Sequence, residues 1–118
     1  MDRVIFLTIE FGTDLILSFS FNEGTKYGIE GYSIHRTPKF EFIFEPEERG
    51  PCVDITTNDR RMILRSVSFD RNSITLKADN GNEQFDISRI DDSEFTDMIK
   101  VLKKMNFDKA FTVTDKRE

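Results

Sequence analysis

The spacing of hydrophobic residues changes once along this chain, near Ile90, and this change limits the fold more than any other feature. Before Ile90, apolar and polar residues alternate in short runs, which is the period of β-strands. After it the spacing becomes helical, as in Phe95, Ile99 and Leu102. Strands that follow one another without crossover helices pair antiparallel, so we expect an α+β domain.

The alternating runs predict about seven or eight strands. They cover residues 3–11, 15–21, 32–36, 39–45, 53–55, 62–69 and two segments within 73–89. The runs within 3–21 should form an antiparallel pair, and Asn80-Gly81 predicts a type I′ turn in the hairpin of 73–89. We therefore predict a mostly antiparallel sheet, built as a curved sheet, a sandwich or a half-barrel, with one C-terminal α-helix.

The helix is expected over residues 92–105, packed on the sheet through its apolar face. Asp91 and Glu94 are spaced for a capping box at its start. Asn106 suits a left-handed residue at its end. Because phenylalanine is among the residues most often buried, most of the twelve phenylalanines should lie in the core.

Size and composition narrow the class of protein. A chain of 118 residues suits a single domain, 1–118, of which 113–118 should be a frayed tail. Its formal net charge of −5 disfavours nucleic-acid binding and adsorption to anionic membranes, which both need a basic surface. Cys52 is the single cysteine and no apolar run is long enough to span a membrane, so we expect a cytoplasmic protein.

Few residues in the sequence suit catalysis. We interpret the single histidine, His35, and Cys52 as a surface side chain and a half-buried thiol, because nothing near them in the sequence would lower the thiol pKa. The Cα atoms of Glu41 and Glu45 would lie about 13 Å apart along a strand. This separation is long for the two catalytic carboxylates of a glycosidase. Zinc would need four nitrogen or sulfur ligands, and the chain offers two, His35 and Cys52. The sequence therefore predicts a protein that is not an enzyme and needs neither metal nor cofactor.

An acidic segment, residues 39–54, holds five carboxylates against two bases, a net charge of −3. Alternation within it predicts that the phenylalanines point inward, which turns Glu41 and Glu45 outward, and Pro46 should end the strand. Such a surface could attract a basic protein, or it could only keep an exposed strand face solvated. The predicted contact residues are Glu41, Glu45, Glu47, Glu48, Arg49, Asp54, Tyr27 and Tyr32.

The segment 50–105 combines a glycine-led strand, a polar turn, further alternating strands, a hairpin and a closing amphipathic helix. In this layout it resembles small bacterial immunity proteins of polymorphic-toxin systems. The positions that carry the resemblance are Gly50, Val53, Asp54, Asn58, Asp59, Val67, Phe69, Ile74, Leu76, Phe85, Ile87 and Phe95. The resemblance covers about half the chain, and it implies inhibition of a toxin by stoichiometric protein contact.

The sequence thus predicts a non-catalytic protein-binding module with a basic protein partner. One alternative is a domain that binds a small apolar ligand, because twelve phenylalanines could line a cavity instead of filling a core. Another is a subunit or adaptor of a larger assembly.

Overall fold

The computed structural model describes residues 2–21, 31–43, 49–55, 62–79 and 81–117. The strands in these ranges are β1 (Asp2–Phe11), β2 (Leu15–Phe21), β3 (Gly31–Arg36), β4 (Cys52–Ile55), β5 (Met62–Phe69), β6 (Ser73–Ala78), β7 (Gly81–Asp86) and β8 (Thr112–Asp115). A 3-10 helix (Pro38–Ile43) lies between β3 and β4, and helix α1 (Asp92–Met105) lies between β7 and β8. The predicted α+β class, mostly sheet with one C-terminal helix, is confirmed.

Seven of the eight described strands form a closed ring. Their order is β4-β3-β2-β1-β7-β6-β5, and β4 also pairs with β5. The β1–β7 and β4–β5 pairings are short, because each joins two residue pairs. Neighbouring strands run antiparallel except in the β1–β7 and β5–β8 pairs, which are parallel. β8 lies beside the second half of β5, whose beginning pairs with β4.

Alternation directs one face of each strand into the ring. Leu17 of β2, Ile34 of β3 and Ile74 of β6 are fully buried, and Leu102 of α1 packs into the same core. Helix α1 contacts β1 and β2. These side chains belong to one cluster, so the helix and both halves of the ring share a core. Full burial of each side chain of this size stabilises the fold by roughly 1.5–3 kcal/mol.

The start of α1 follows its sequence signals. The main-chain nitrogen of Glu94 donates to Asp91 Oδ1 at 2.7 Å, and the nitrogen of Asp91 donates to Glu94 Oε1 at 3.4 Å. The predicted bounds and the capping box are thereby confirmed. Glu94 Oε2 also accepts a hydrogen bond from the main-chain nitrogen of Leu7 at 2.8 Å, so the cap joins the helix to β1.

The end of α1 differs from the prediction. Asn106 has a φ of −99°, so it is not the left-handed residue; Lys109 is, with a φ of 56°. The side-chain oxygen of Asn106 instead accepts a hydrogen bond from the main-chain nitrogen of Phe111 at 3.1 Å. Asn106 therefore holds the segment that leads into β8.

The hairpin of β6 and β7 is confirmed, but its turn lies one residue earlier than predicted. Ala78 pairs with Gly81, which leaves Asp79 and Asn80 between the strands and makes Gly81 the first residue of β7. Asn80 itself lies outside the described residues. The sequence signal located the hairpin correctly, whereas the strand pairing decided its register.

The predicted frayed tail over 113–118 is wrong for its first half. Val113 pairs in register with Val67 as part of β8, which continues to Asp115. The guanidinium of Arg117 then bonds to Asp115, with Nη2–Oδ2 at 2.6 Å. Residues 113–115 form a strand because β5 offers them an edge, and no signal within these residues reveals that edge.

Candidate functional site

Arg36, the last residue of β3, is charged and yet points into the ring. It shares the inward face of the strand with Tyr32 and Ile34, and it is 1% exposed. A buried guanidinium needs a partner for its charge and an acceptor for each of its N–H groups. The contacts of Arg36 therefore identify a place where polar groups from distant segments must meet.

All five N–H donors of Arg36 are hydrogen-bonded. Nε and Nη2 donate to the two oxygens of Glu41 at 2.7 and 2.9 Å. Nη1 and Nη2 donate to the two oxygens of Asp108 at 2.8 and 2.7 Å. The remaining Nη1 proton goes to the main-chain oxygen of Met105, at the end of α1. We call Arg36, Glu41 and Asp108 the Arg36 cluster; its two bidentate pairs are of the strongest hydrogen-bonded type.

Opposing effects set the charges in this cluster. Burial disfavours the charge on Arg36, but hydrogen bonds to Asp108 and Glu41 outweigh it and raise the pKa of the guanidinium. The bond from Arg36 in turn holds the pKa of Asp108 below its ordinary value. Two carboxylates share one guanidinium, so the cluster carries a formal charge of −1 close to the surface.

The 3-10 helix explains why the predicted strand over 39–45 is wrong. It begins at Pro38, and its tight turn places Glu41 against Arg36. Glu41 is 8% exposed, whereas Phe42 is 74% exposed, the reverse of the expectation from alternation. Pairing with the buried guanidinium favours this conformation, because Nε and one Nη2 proton of Arg36 would otherwise lose their acceptors. Residues 44 and 45 lie outside the described residues.

The expectation that most phenylalanines are buried is also corrected. Of the eleven whose side chains are described, five are buried, one is half-buried and five are exposed. The exposed ones are Phe6, Phe11, Phe40, Phe42 and Phe107. The last three lie next to the Arg36 cluster, and Phe107 stacks on Arg36 with its ring centre 4.4 Å from Cζ. We call Phe40, Phe42, Ile43 and Phe107 the apolar rim.

A cavity of about 280 Å³ opens between the 3-10 helix, the β1–β2 turn and the ends of β3 and β4. Its lining includes Asp14, Phe40 and Ile43, together with His35 and Cys52, which face each other in the β3–β4 register. The thiol is buried, not half-buried as predicted, and Sγ lies 4.0 Å from the main-chain oxygen of Gly50. The cavity thus combines apolar walls with polar groups from three segments.

A second, more open groove of about 550 Å³ lies at the start of α1. The guanidinium groups of Arg71 and Arg117 lie 4.9 and 5.3 Å from the ring centre of Phe95. Arg71 also donates to the main-chain oxygen of Ile90 at 2.6 Å and to Asp92 at 3.2 Å. The groove is lined by two acids and three bases, and Arg71 and Arg117 are already paired with Asp92 and Asp115.

Two of the predicted contact residues are buried, which corrects their expected role in an exposed surface. Glu41 pairs with Arg36, as described above. Tyr32 packs in the core between Phe19 and Phe85, with ring centres 6.2 and 5.2 Å away. Burial, followed by the charge of Glu83, raises the pKa of Tyr32. Tyr32 was expected at an exposed strand end, but it lies on the inward face of β3.

The other predicted contact residues are only partly described. Arg49 is half-buried, just before β4. Asp54 lies in β4, where its main chain pairs with Ser33 of β3, but its side chain is not among the described ones. The residues that lie entirely outside the described ranges are Tyr27, Glu45, Glu47 and Glu48. Their role in partner binding stays a prediction.

Sequence reasoning missed Arg36 and Asp108 as members of a site. A signal for Arg36 was present, because it occupies the third inward position of β3 after Tyr32 and Ile34. An arginine at such a position must find buried carboxylates. No comparable signal marks Asp108, whose environment depends on the turn after α1.

Comparison of the chain with protein-family models, with curated proteins and with solved structures found no match. Within the described ranges, no group of three or more His, Cys, Asp or Glu residues is arranged to hold a metal ion. The same ranges contain no helix with the length and apolar composition needed to cross a lipid bilayer. The function is therefore argued from the site itself.

Proposed function

We propose that this chain is a non-catalytic protein-binding module that contacts its partner through the apolar rim beside the Arg36 cluster. The observation that carries this proposal is the exposure of Phe40, Phe42 and Ile43 on a helix that Arg36 holds in place. Clustered exposed apolar side chains mark protein contact sites, and aromatic anchors supply much of the binding energy. Because the helix is already held, little conformational entropy remains to be lost on binding.

The charge near the rim favours a basic partner. The Arg36 cluster has a formal charge of −1, and the segment 39–54 has a net charge of −3. Clustered carboxylates speed the approach of a basic protein and help to select it. The proposed surface therefore also includes the acidic residues that follow the 3-10 helix in the chain, Glu45, Glu47, Glu48 and Asp54, together with Arg49.

The resemblance of residues 50–105 to immunity proteins supports a more specific proposal. The partner would be a toxin of a polymorphic-toxin system, neutralised in the cytoplasm by stoichiometric contact with this chain. The small-ligand alternative has less support, because five of the described phenylalanines are buried in the core.

The proposal is tested by capturing partners from the native cell with matched baits. Wild-type chain, Phe42→Ala and Phe6→Ala are compared, because Phe6 is an exposed phenylalanine on β1, away from the rim. We expect one basic protein that wild-type and Phe6→Ala retain and that Phe42→Ala loses. A variant with Glu45→Lys and Glu48→Lys should associate with the captured protein more slowly than the wild type does, and this difference should be largest at low salt.

Equal recovery of the protein by all three baits would remove the apolar rim from the proposed surface. The toxin proposal has its own test, in which the captured protein is expressed alone and together with the chain. We expect growth to fail in the first case and to recover in the second, and growth that is unharmed in the first case would contradict neutralisation.

A further inference from the structure

We propose that the cavity beside the Arg36 cluster receives one cationic side chain, arginine or lysine, from the basic protein partner. This inference rests on the proposed function, since it names the group that the contact site recognises. Three properties of the cavity carry it: its apolar walls, its fixed carboxylate and its size.

The walls suit the stem of a long cationic side chain. Phe40 and Ile43 line the cavity and remain exposed, so they can be covered by a partner without any rearrangement of the core. Arginine and lysine pack their methylene stems on apolar surfaces while their charged ends stay with polar groups. The Phe40 ring already has an ammonium nearby, because Lys39 Nζ lies 5.7 Å from its centre, and aromatic rings attract such cations.

Asp14 gives the cavity a carboxylate that is held in position. Thr37 Oγ1 donates to Asp14 Oδ1 at 2.6 Å, which joins the β1–β2 turn to the start of the 3-10 helix. A guanidinium or ammonium that reaches Asp14 would form a charge-assisted hydrogen bond. Because its orientation is fixed beforehand, the carboxylate loses little freedom when the cation binds.

Arg36 also lines the cavity, but it does not oppose a second cation. Its five N–H groups all point to acceptors within the protein, and Glu41 and Asp108 more than balance its charge. The formal charges of Asp14, Glu41 and Arg36 sum to −1 along the lining. An anion would be repelled, and a neutral apolar group would take the charge of Asp14 out of water without supplying an opposite charge.

The volume of about 280 Å³ is large enough for one long side chain. The probe that matches it is n-butylguanidinium, which carries the arginine head group on a four-carbon stem. Butyrate is the control of similar length and opposite charge. Both are titrated into isotopically labelled full-length chain, and the Ile43 methyl and Phe40 amide resonances are followed by NMR.

We expect n-butylguanidinium to shift these resonances in a saturable manner at millimolar concentrations, and butyrate to leave them unchanged. Asp14→Asn keeps an acceptor for Thr37 and removes the charge, so its affinity should fall at least about fivefold. Glu10→Gln removes an exposed carboxylate from β1 that does not line the cavity, and its affinity should match the wild type. If Asp14→Asn fails to fold, Lys39→Gln replaces it and should bind more tightly, because the neighbouring ammonium is gone.

Shifts of equal size with butyrate, or an Asp14→Asn affinity equal to that of wild type, would overturn the inference. Its failure is distinguishable from failure of the proposed function. Probe binding by a chain that captures no protein leaves the cation site standing and rejects the function. Partner capture that Asp14→Asn does not weaken rejects the cation site and leaves the function standing.

Discussion

The two ends of α1 use the same pair of side chains, an arginine stacked on a phenylalanine, in opposite ways. At the C-terminal end Arg36 is buried, and its partner Phe107 is 59% exposed. At the N-terminal end Phe95 is 4% exposed, and the side chain of Arg71 is 34% exposed. One end therefore presents apolar rings to solvent, while the other presents charges.

The difference shows that the surface depends on which member of the pair is buried, the arginine or the phenylalanine. Burying Phe95 requires only apolar neighbours, and the side chain of Arg71 remains partly exposed to solvent. Burying Arg36 requires an acceptor for every donor, and those acceptors come from the 3-10 helix, from the last residue of α1 and from the turn after it. The buried arginine thereby fixes two segments whose apolar side chains face outward. We propose this end for binding, because its exposed side chains are apolar whereas those of the other end are charged.

The largest effect that tests this comparison is expected for Arg36→Met against Arg71→Met. Without Arg36, Glu41 and Asp108 lose their shared cation, and breaking a buried pair costs about 3–5 kcal/mol. Arg71 is partly exposed, and its ion pair with Asp92 contributes only about 0–1 kcal/mol. Urea unfolding of both variants measures the two losses. Losses of equal size would mean that burial does not distinguish the two arginines.

A smaller effect is expected at the N-terminal end of the helix, where Asp91 caps the first turn. Asp91→Ala removes the acceptor for the main-chain nitrogen of Glu94 and should cost about 0.5–2 kcal/mol. Ser93→Ala, an exposed change in the same turn, is the control and should stay within about 0.5 kcal/mol. If the control loses as much stability as Asp91→Ala, the loss would not be specific to the cap.

The smallest effect is expected from Asp108, and it depends on pH. Its hydrogen bonds with Arg36 lower its folded-state pKa below the ordinary 3.8, so it adds stability above that pH and loses it as the pH falls towards the lower value. Its side chain is 42% exposed, so solvent screens the gain. Urea midpoints should separate wild type from Asp108→Asn at about pH 6 and converge once the pH has fallen below the lowered folded-state pKa of Asp108. A separation that persists in acid would assign the difference to packing instead of charge.

The elements that the sequence predicted well have local signals. The capping box and the helical spacing locate α1, because every residue involved lies within one or two turns of its partners. Alternation likewise located β1, β2 and β3. The same rule failed over 39–45, because Phe40 and Phe42 alternate with charged residues as they would in a strand. The 3-10 helix forms there instead, since Glu41 pairs with a side chain in another element.

The candidate site was predictable only in part, for a related reason. Arg36 and Asp108 are 72 residues apart in the chain, and their contact depends on how α1 packs on the ring. The residues next to Arg36 in the sequence, and those next to Asp108, do not indicate that the two side chains meet. The inward position of Arg36 on β3 indicates that a buried carboxylate must exist, but it does not indicate which one. The acidic segment was correctly noticed for its charge, yet one of its glutamates serves the interior.

The separation of Arg36 from Asp108 also has a consequence for biosynthesis. The chain is made from its amino terminus, so Arg36 leaves the ribosome long before Asp108 is added. Until then Glu41 is its only partner within the cluster, and a guanidinium with unsatisfied donors opposes burial. We expect the end of β3 to stay hydrated until α1 and its following turn have emerged. A nascent chain would therefore lack the complete Arg36 cluster until the turn after α1 has emerged.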